Sequence, residues 1–210
     1  MVVVFDLDDT LYDEINFVRS GFAEIASYLG DRKYFDFLWE DFMKKGSGKN
    51  IDNLLSVFKI KEKKEKLIEI YRFHTPNIEL NNDARAVLHY LKEKKISTAI
   101  ITDGHYITQK NKFTALGLDK LIDFVVFTDY YHTKKPDLRP FHIVMSHFSK
   151  EKYFCYIADN PQKDFIAPLK LGWKAVRYKN KNGVYNKIKC ALQIPEISNL
   201  MDAVEILGLK

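Results

Sequence analysis

The order of apolar and polar residues predicts short buried strands that alternate with amphipathic helices. Residues 2–5 form an apolar, mostly β-branched run, which is typical of a strand that is covered on both faces in a parallel sheet. Similar runs lie at 97–101, 124–127, 153–158 and 174–177. Helical patterns lie at about 83–95, 106–117, 137–148 and 161–171. This alternation predicts an α/β fold with a doubly wound, Rossmann-like parallel sheet and right-handed crossovers.

Local signals mark several element ends. Gly117 and Gly172 stand where two of these helices are expected to end, as glycines do at helix C-termini. Ser198 is expected to cap a short terminal helix that runs through Leu207. The pattern gives no location in the fold for the tail beyond Lys179.

One long segment contains only helical periodicity. In residues 14–80 apolar side chains recur every three or four positions, as one helix face requires. We therefore expect a core domain formed by residues 1–13 and 81–210, and an inserted helical cap domain formed by residues 14–80. An insertion after the first strand would overhang the edge where open α/β sheets bind ligands. The alternative is a helical domain unrelated to the site.

Composition and charge exclude several classes of protein. The 210-residue chain has a net charge of +5, and its lysines are scattered or interleaved with glutamates. This pattern is typical of solvated helix faces, so no nucleic-acid partner is expected. No apolar stretch reaches the roughly 20 residues of a membrane span, so no membrane partner is expected. The two cysteines, Cys155 and Cys190, require no oxidising compartment, and the N-terminal run resembles no signal peptide. A cytoplasmic location is the resulting expectation.

The first strand is followed directly by Asp6-Leu7-Asp8-Asp9-Thr10. Residues two apart on an extended chain point the same way, so Asp6 and Asp8 can face one crevice. Two close carboxylates repel each other, and such a pair usually binds a cation or has one raised pKa. Both outcomes suit phosphoryl transfer, in which one carboxylate attacks phosphorus and the other carries the proton of the leaving group. A simple acidic turn is the alternative for this motif alone.

Polar residues also stand at or just after three later strands. Thr102 ends the second strand, where a hydroxyl can bond to a phosphoryl oxygen. Lys135 precedes Pro136, which favours an extended conformation at Lys135, and its ammonium would neutralise phosphate charge. Asp159 ends the fourth strand, and Asp164 is expected in the opening of the next helix; hard oxygen ligands of this type suit magnesium.

Acid pair, hydroxyl, lysine and acid pair, in this order, resemble the four motifs of the haloacid dehalogenase-like (HAD) hydrolase superfamily. The resemblance covers residues 2 to about 178, and the helical insertion resembles that superfamily's cap. It implies that Asp6 is the nucleophile and a Mg²⁺ ligand, that Asp8 is the general acid and base with its main-chain carbonyl on the metal, and that Asp159 is a further metal ligand. It also implies roles for five more residues: Thr102, Asp103 and Lys135 would bind the substrate phosphate, and Asp164 would support the site together with Asn160.

The resemblance also narrows the reaction. Dehalogenases and phosphonatases of the superfamily typically lack an acid at the position of Asp8, so a phosphatase or a phosphomutase is implied. We expect a magnesium-dependent phosphatase that acts on a small phosphorylated metabolite, with a phosphomutase or a non-catalytic phosphate-binding scaffold as alternatives. Residues 71–76 and 159–165 resemble a bacterial branch associated with surface polysaccharides, which would favour a sugar phosphate. The expected assembly is a monomer or homodimer. Ala158 and Asp103 depart from the usual glycine and asparagine.

Overall fold

The computed structural model describes residues 1–209 of the chain. The chain divides into two compact units. The core unit contains residues 1–14 and 79–210, and the helical unit contains residues 15–78. The assignment of the helical unit as a cap stays a prediction.

The core unit is built on one six-stranded sheet in which every neighbouring pair of strands is parallel. The strands in chain order are β1 (Val2–Phe5), β2 (Ser97–Thr102), β3 (Phe124–Phe127), β4 (Phe154–Ala158), β5 (Lys174–Tyr178) and β6 (Glu196–Ile197). Their spatial order is β3-β2-β1-β4-β5-β6. The doubly wound parallel sheet predicted from the apolar runs is thereby confirmed.

Strand β1 lies between β2 and β4, where the chain order of the strands reverses. Phe5 is level with Ile100 of β2 and with Ile157 of β4, so Asp6 emerges between the carboxyl ends of two neighbouring strands. All four residues of β1 are buried, which explains the continuous apolar run. Parallel sheets bind ligands at such a reversal, so the register brings Asp6 to the expected crevice.

Helices connect the strands of the core unit. They are α5 (Asn82–Glu93), α6 (Tyr106–Ala115), α7 (Arg139–His147), α8 (Ile166–Lys170) and the terminal α9 (Asp202–Ile206). Short 3₁₀ turns cover Leu118–Lys120 and Thr128–Tyr131. Gly117 and Gly172 follow helical segments with φ of 67° and 73°, which confirms the predicted C-terminal glycines.

Two helix starts differ from the prediction. Residues 161–165 form turns, so Asp164 precedes α8 instead of lying in its first turn. The Asn160 side chain accepts a bond from the Gln162 amide (2.9 Å), and Asp164 accepts one from the Asn160 amide (3.2 Å). Such side-chain bonds to the backbone compete with a helix. The predicted cap at Ser198 is wrong as well, because α9 begins four residues later without a side-chain cap.

The helical unit contains four helices: α1 (Glu14–Leu29), α2 (Lys33–Lys45), α3 (Asn50–Val57) and α4 (Lys64–Phe73). The first residue of α1, Glu14, still belongs to the core unit. One apolar cluster joins the four helices, with one or two fully covered residues from each. These residues are Phe22, Ile25, Leu38, Leu54 and Leu67. Aromatic rings surround them, so the unit has its own hydrophobic core.

The tail belongs to the edge of the core unit. Strand β6 pairs with β5, and Leu200, Ala203 and Val204 are buried. Asp83 at the start of α5 accepts a hydrogen bond from the Leu200 amide (3.0 Å). Among residues 1–209 no helix combines the length and the apolar character that a membrane crossing needs.

Candidate active site at the carboxyl edge of the sheet

The turn after β1 presents the two carboxylates that the motif predicts. Asp9 adopts a left-handed φ of 52°, which aspartate tolerates better than most residues. Its side chain accepts hydrogen bonds from the amides of Glu14 (2.9 Å) and Val184 (3.2 Å), which hold the turn. Asp6 and Asp8 both line one cavity of about 260 Å³.

A buried charge cluster surrounds Asp6. The Lys135 Nζ lies 2.8 Å from Asp6 Oδ1 and 2.9 Å from Asp164 Oδ1, and Lys135 and Asp164 are almost completely buried. Carboxylate oxygens of Asp6, Asp159 and Asp164 all lie within 4.8 Å of one another. Residues from the segments after β1 and β4 and from the loop before α7 therefore meet at one point.

The cluster holds more negative charge than its lysine neutralises. Burial raises the pKa of Asp6 to about 7 against the opposing effect of Lys135, and Asp164 and Asp8 raise it further. Burial also raises the pKa of Asp159 to about 9, with added repulsion from Asp6 and Asp164. Burial opposes the charge of Lys135, but Asp164 and Asp6 keep its pKa well above the usual value. Lys135 is thus a permanent cation between acids that repel each other.

Asp8 has different surroundings. Its Oδ1 accepts hydrogen bonds from Tyr12 Oη (2.5 Å) and Lys112 Nζ (2.7 Å), and its Oδ2 accepts one from Gln109 Nε2 (2.8 Å). Burial favours the neutral form, but Lys112 and these hydrogen bonds hold the pKa of Asp8 below its usual range. Asp6 and Asp8 therefore lie in one cavity with their pKa values shifted in opposite directions.

Thr102 and Asp103 are placed differently from each other. Thr102 is fully buried, and Gln109 Nε2 lies 2.6 Å from its hydroxyl oxygen, whereas the cavity is lined by Asp103 and Gly104. The Asp103 carboxylate accepts bonds from Thr128 Oγ1 (2.9 Å), the Lys135 amide (3.1 Å) and Lys163 Nζ (2.7 Å). Its side chain thus ties three loops together, and only its backbone can donate to a phosphate.

Sequence reasoning missed several residues around these acids, and four of them stand out. Lys163 and Tyr185 line the cavity, and Gln109 and Lys112 hold Asp8 from α6. Lys163 had a signal in the sequence, because it stands between Asp159 and Asp164 in the fourth motif. The remaining three had none, since each reaches the site only through tertiary packing. Asn160 lines the cavity next to Asp159, and its supporting role stays a prediction.

The loop that carries Tyr185 is fixed to the core unit at several points. Asn180 and Asn182 donate to the two carboxylate oxygens of Asp13 (2.8 and 2.6 Å). The buried Arg177 donates to the carbonyl oxygens of Tyr185 (2.8 Å) and Asp159 (3.3 Å). The tail segment that has no location in the sequence analysis is therefore a wall of the cavity.

The donor set fits a divalent cation. Two lysines, Lys135 and Lys163, face six carboxylates among the residues that line the cavity: Asp6, Asp8, Asp9, Glu14, Asp103 and Asp159. A cation bound in this cavity would offset the charge of these carboxylates and of an anionic substrate. Carboxylate oxygens are the ligands that Mg²⁺ prefers, and those of Asp6, Asp159 and Asp164 lie close enough together to share one ion.

Comparison with known proteins identifies the family. The family model described as haloacid dehalogenase-like hydrolase matches residues 3–178, which include all four motifs. The chain belongs to this family, and the resemblance read from the motifs is confirmed.

Individual relatives are more distant. The chain is 28% identical over 190 residues to a glyceraldehyde 3-phosphate phosphatase of Methanocaldococcus jannaschii, with 83% of each chain covered. It is 28% identical over 224 residues to an enzyme of the same name from Pyrococcus furiosus, covering 97% of this chain and 92% of the relative. The solved structure of the HAD-hydrolase YfnB from Bacillus subtilis, bound to magnesium, has a TM-score of 0.71 at 18% identity and covers 99% of this chain and 98% of that one. That likeness supports the fold.

Proposed function

We propose that this protein is a magnesium-dependent phosphatase that hydrolyses a small sugar phosphate through a phospho-aspartyl intermediate on Asp6. The observation that carries the proposal is the buried cluster of Asp6, Lys135, Asp159 and Asp164 beside Asp8. The fold alone would not suffice, because one fold hosts many reactions. This cluster has the nucleophile, the fixed cation and the metal ligands that phosphoryl transfer needs.

In the first half-reaction an Asp6 oxygen attacks phosphorus, and the bond from phosphorus to the leaving oxygen breaks. Lys135 stabilises charge on the phosphoryl group and keeps the Asp6 side chain oriented through their 2.8 Å contact. Asp8 gives a proton to the leaving oxygen. The negative charge of a bound phosphate favours the protonated form of Asp8 at this stage, because like charges repel.

In the second half-reaction water attacks phosphorus of the acyl phosphate. The Asp8 carboxylate accepts a proton from the water, the bond between phosphorus and the Asp6 oxygen breaks, and inorganic phosphate leaves. The hydrogen bonds from Tyr12, Lys112 and Gln109 favour the carboxylate form of Asp8 that this step requires. Both carboxyl groups return to their initial states, so the cycle balances.

Asp6, Asp159 and the main-chain carbonyl of Asp8 would hold the Mg²⁺ ion. When bound, the ion supplies positive charge that offsets the cavity carboxylates and the phosphoryl oxygens. Asp164 supports the site through its 2.9 Å contact with Lys135. Asn160 supports it by donating its backbone amide to Asp164.

The relatives named glyceraldehyde 3-phosphate phosphatase support a short phosphorylated sugar as the substrate. The cavity of about 260 Å³ also favours a small molecule, because larger ligands usually need pockets of about 300–1,000 Å³. Tyr185, which lines the cavity, carries a hydroxyl that can bond to the hydroxyl or carbonyl groups of such a substrate.

Phosphate release from glyceraldehyde 3-phosphate and p-nitrophenyl phosphate, measured with Mg²⁺ and with a chelator, tests the proposal. We expect Asp6→Asn to lower kcat by at least about 10³-fold, since it replaces the nucleophile without changing its size. Asp119→Asn, at an exposed position on the 3₁₀ turn after α6, is the matched control and should retain wild-type activity.

Full activity of the Asp6 variant would contradict the mechanism. Isomerisation of a hexose phosphate without net release of phosphate would instead favour a phosphomutase. A wild-type chain that hydrolyses none of a panel of phosphoesters would favour the phosphate-binding scaffold.

A further inference from the structure

We propose that Gln109 is a positioning residue that holds the Asp8 carboxyl group in line with the leaving oxygen of the substrate. The inference rests on the proposed function, because it concerns the proton transfer that Asp8 performs there. Gln109 lies on α6, outside the four motifs, and its side chain is buried.

The carboxamide of Gln109 joins two of the predicted site residues. Its Nε2 lies 2.8 Å from Asp8 Oδ2 and 2.6 Å from Thr102 Oγ1. A carboxylate only accepts hydrogen bonds, so the amide nitrogen, with its two hydrogens, must face Asp8, and the Thr102 oxygen accepts the second hydrogen. Thr102 ends β2, so its hydroxyl anchors the carboxamide to the sheet while the other hydrogen fixes Asp8.

The other carboxylate oxygen is fixed from a different side. Asp8 Oδ1 accepts from Tyr12 and from Lys112, which lies three residues after Gln109 on the same face of α6. Tyr12 and Lys112 restrain one oxygen, and Gln109 restrains the other, so together they determine the rotation of the carboxyl group. Without Gln109 the group keeps its cationic and phenolic partners but can rotate about them.

The turn after β2 is adapted to this carboxamide. Gly104 has a φ of 121°, and a β-carbon built there would lie 3.1 Å from Gln109 Cδ and 3.2 Å from Cγ. Only glycine combines this backbone conformation with such close contact. Gly104 also lines the cavity, so the floor of the site is packed directly on Gln109.

A mispositioned general acid slows substrates with poor leaving groups more than substrates with good ones, whereas a loss of folded enzyme slows both equally. An alkyl phosphate expels a basic alkoxide and needs the proton, whereas p-nitrophenyl phosphate expels a stable phenolate and needs it far less. The value of kcat/KM reports the steps up to the first irreversible one. It therefore includes the transfer of the phosphoryl group to Asp6, in which the leaving oxygen needs its proton. Misplaced Asp8 should therefore slow the alkyl substrate selectively.

The test compares kcat/KM for glyceraldehyde 3-phosphate and p-nitrophenyl phosphate in wild type, Gln109→Met and Gln109→Glu. Methionine keeps the length of the side chain without hydrogen-bond donors, and glutamate keeps its outline but faces Asp8 with an oxygen. Lys110→Met, at the exposed neighbouring position, is the control. General acid catalysis is worth about 10²- to 10⁴-fold, so we expect both Gln109 variants to lose roughly 10-fold or more with the alkyl substrate and several-fold less with the aryl one.

Equal losses on the two substrates, or activity within twofold of the Lys110 control, would overturn the inference while leaving the proposed function intact. Absence of any phosphatase activity in the wild-type chain would overturn the proposed function and this inference together. Thermal unfolding of each variant identifies a folding defect, and the ratio between the two substrates is unaffected by the fraction of folded enzyme.

Discussion

Each unit of the chain contains an aspartate with the same small exposed fraction, but the two aspartates have opposite surroundings. Asp6 in the core unit and Asp41 in the helical unit are each 7% exposed. Asp41 accepts hydrogen bonds from Lys45 (2.5 Å), Asn50 and Asn53 (both 2.9 Å), and the bonds from Lys45 and Asn53 hold its pKa below the usual value. Asp6 shares its single lysine with another acid, and its pKa rises to about 7.

The comparison separates a structural carboxylate from a reactive one. The exposed fraction alone does not distinguish them, since it is the same at both positions. The difference lies in what acts on each carboxylate: desolvation by burial raises the pKa of Asp6 most and the neighbouring acids raise it further, whereas the hydrogen-bond donors around Asp41 outweigh its desolvation. Within residues 1–209 the buried three-acid cluster occurs in the core unit, while the helical unit has a cluster of aromatic and aliphatic side chains.

Removing the central cation should disrupt the core site most strongly. Lys135→Met keeps the side-chain length but leaves Asp6, Asp159 and Asp164 without their shared ammonium. We expect kcat/KM for phosphoester hydrolysis to fall by about 10²- to 10³-fold, as when a preorganised charge is removed from a transition state. Lys134→Met, at the adjacent exposed lysine, is the matched control. Equal activity of the two variants would mean that the buried cluster is not the reaction centre.

Magnesium should counteract the loss of stability that rising pH causes. Burial and repulsion raise the pKa of Asp6 to about 7 and of Asp159 to about 9, from an ordinary value of 3.8. Across that window the folded protein binds more protons at these groups than the unfolded chain does. Their contribution to the free energy of unfolding therefore falls as pH rises. Mg²⁺ competes with the protons, so it should stabilise the protein more at pH 8 than at pH 6.

Thermal unfolding in Mg²⁺ and in chelator, at both pH values, measures this effect. At a concentration of about 100 times its Kd, Mg²⁺ should add about 2.7 kcal/mol to the free energy of unfolding. The gain should shrink in Asp159→Asn, which lacks one ligand. An equal gain in wild type and variant would place the metal elsewhere.

The smallest expected effect is the change in the free energy of unfolding when each of the two aspartates is replaced by asparagine, and it compares the two units directly. At pH 8 without metal, Asp6→Asn removes a charge that the fold disfavours, so the free energy of unfolding should stay the same or rise. Asp41→Asn removes a charge that three donors stabilise, so it should lower that energy by about 1 kcal/mol. Denaturant unfolding of both variants measures the two signs. Destabilisation by Asp6→Asn would mean that its charge is compensated.

Different parts of the molecule were predictable to different degrees. The sheet and the positions of Asp6, Lys135 and Asp159 followed from the sequence, because apolar runs locate buried strands and the ends of parallel strands meet at one edge. The start of α8 did not follow, because Asn160 and Asp164 bond to nearby backbone amides in place of a helical turn.

The support of Asp8 could not be predicted at all. Gln109 and Lys112 lie about 100 residues from Asp8 in the chain, and no periodicity or spacing links them. The position of the tail segment around Tyr185 could not be predicted either. It depends on hydrogen bonds that Arg177 donates to this segment and that the segment donates to Asp13. Local patterns thus predicted the elements and the strand-end residues, while contacts between distant segments determined the state of each carboxyl group.

The covalent intermediate on Asp6 is the central claim, and trapping it tests that claim most directly. The wild-type protein and Asp6→Asn would be mixed with substrate and Mg²⁺, quenched in acid within milliseconds, reduced with borohydride and mapped by mass spectrometry. Borohydride reduces an acyl phosphate to an alcohol, so wild type should carry a reduced side chain at position 6, and the variant should show none. Rapid phosphate release from wild type without modification at position 6 would contradict the account.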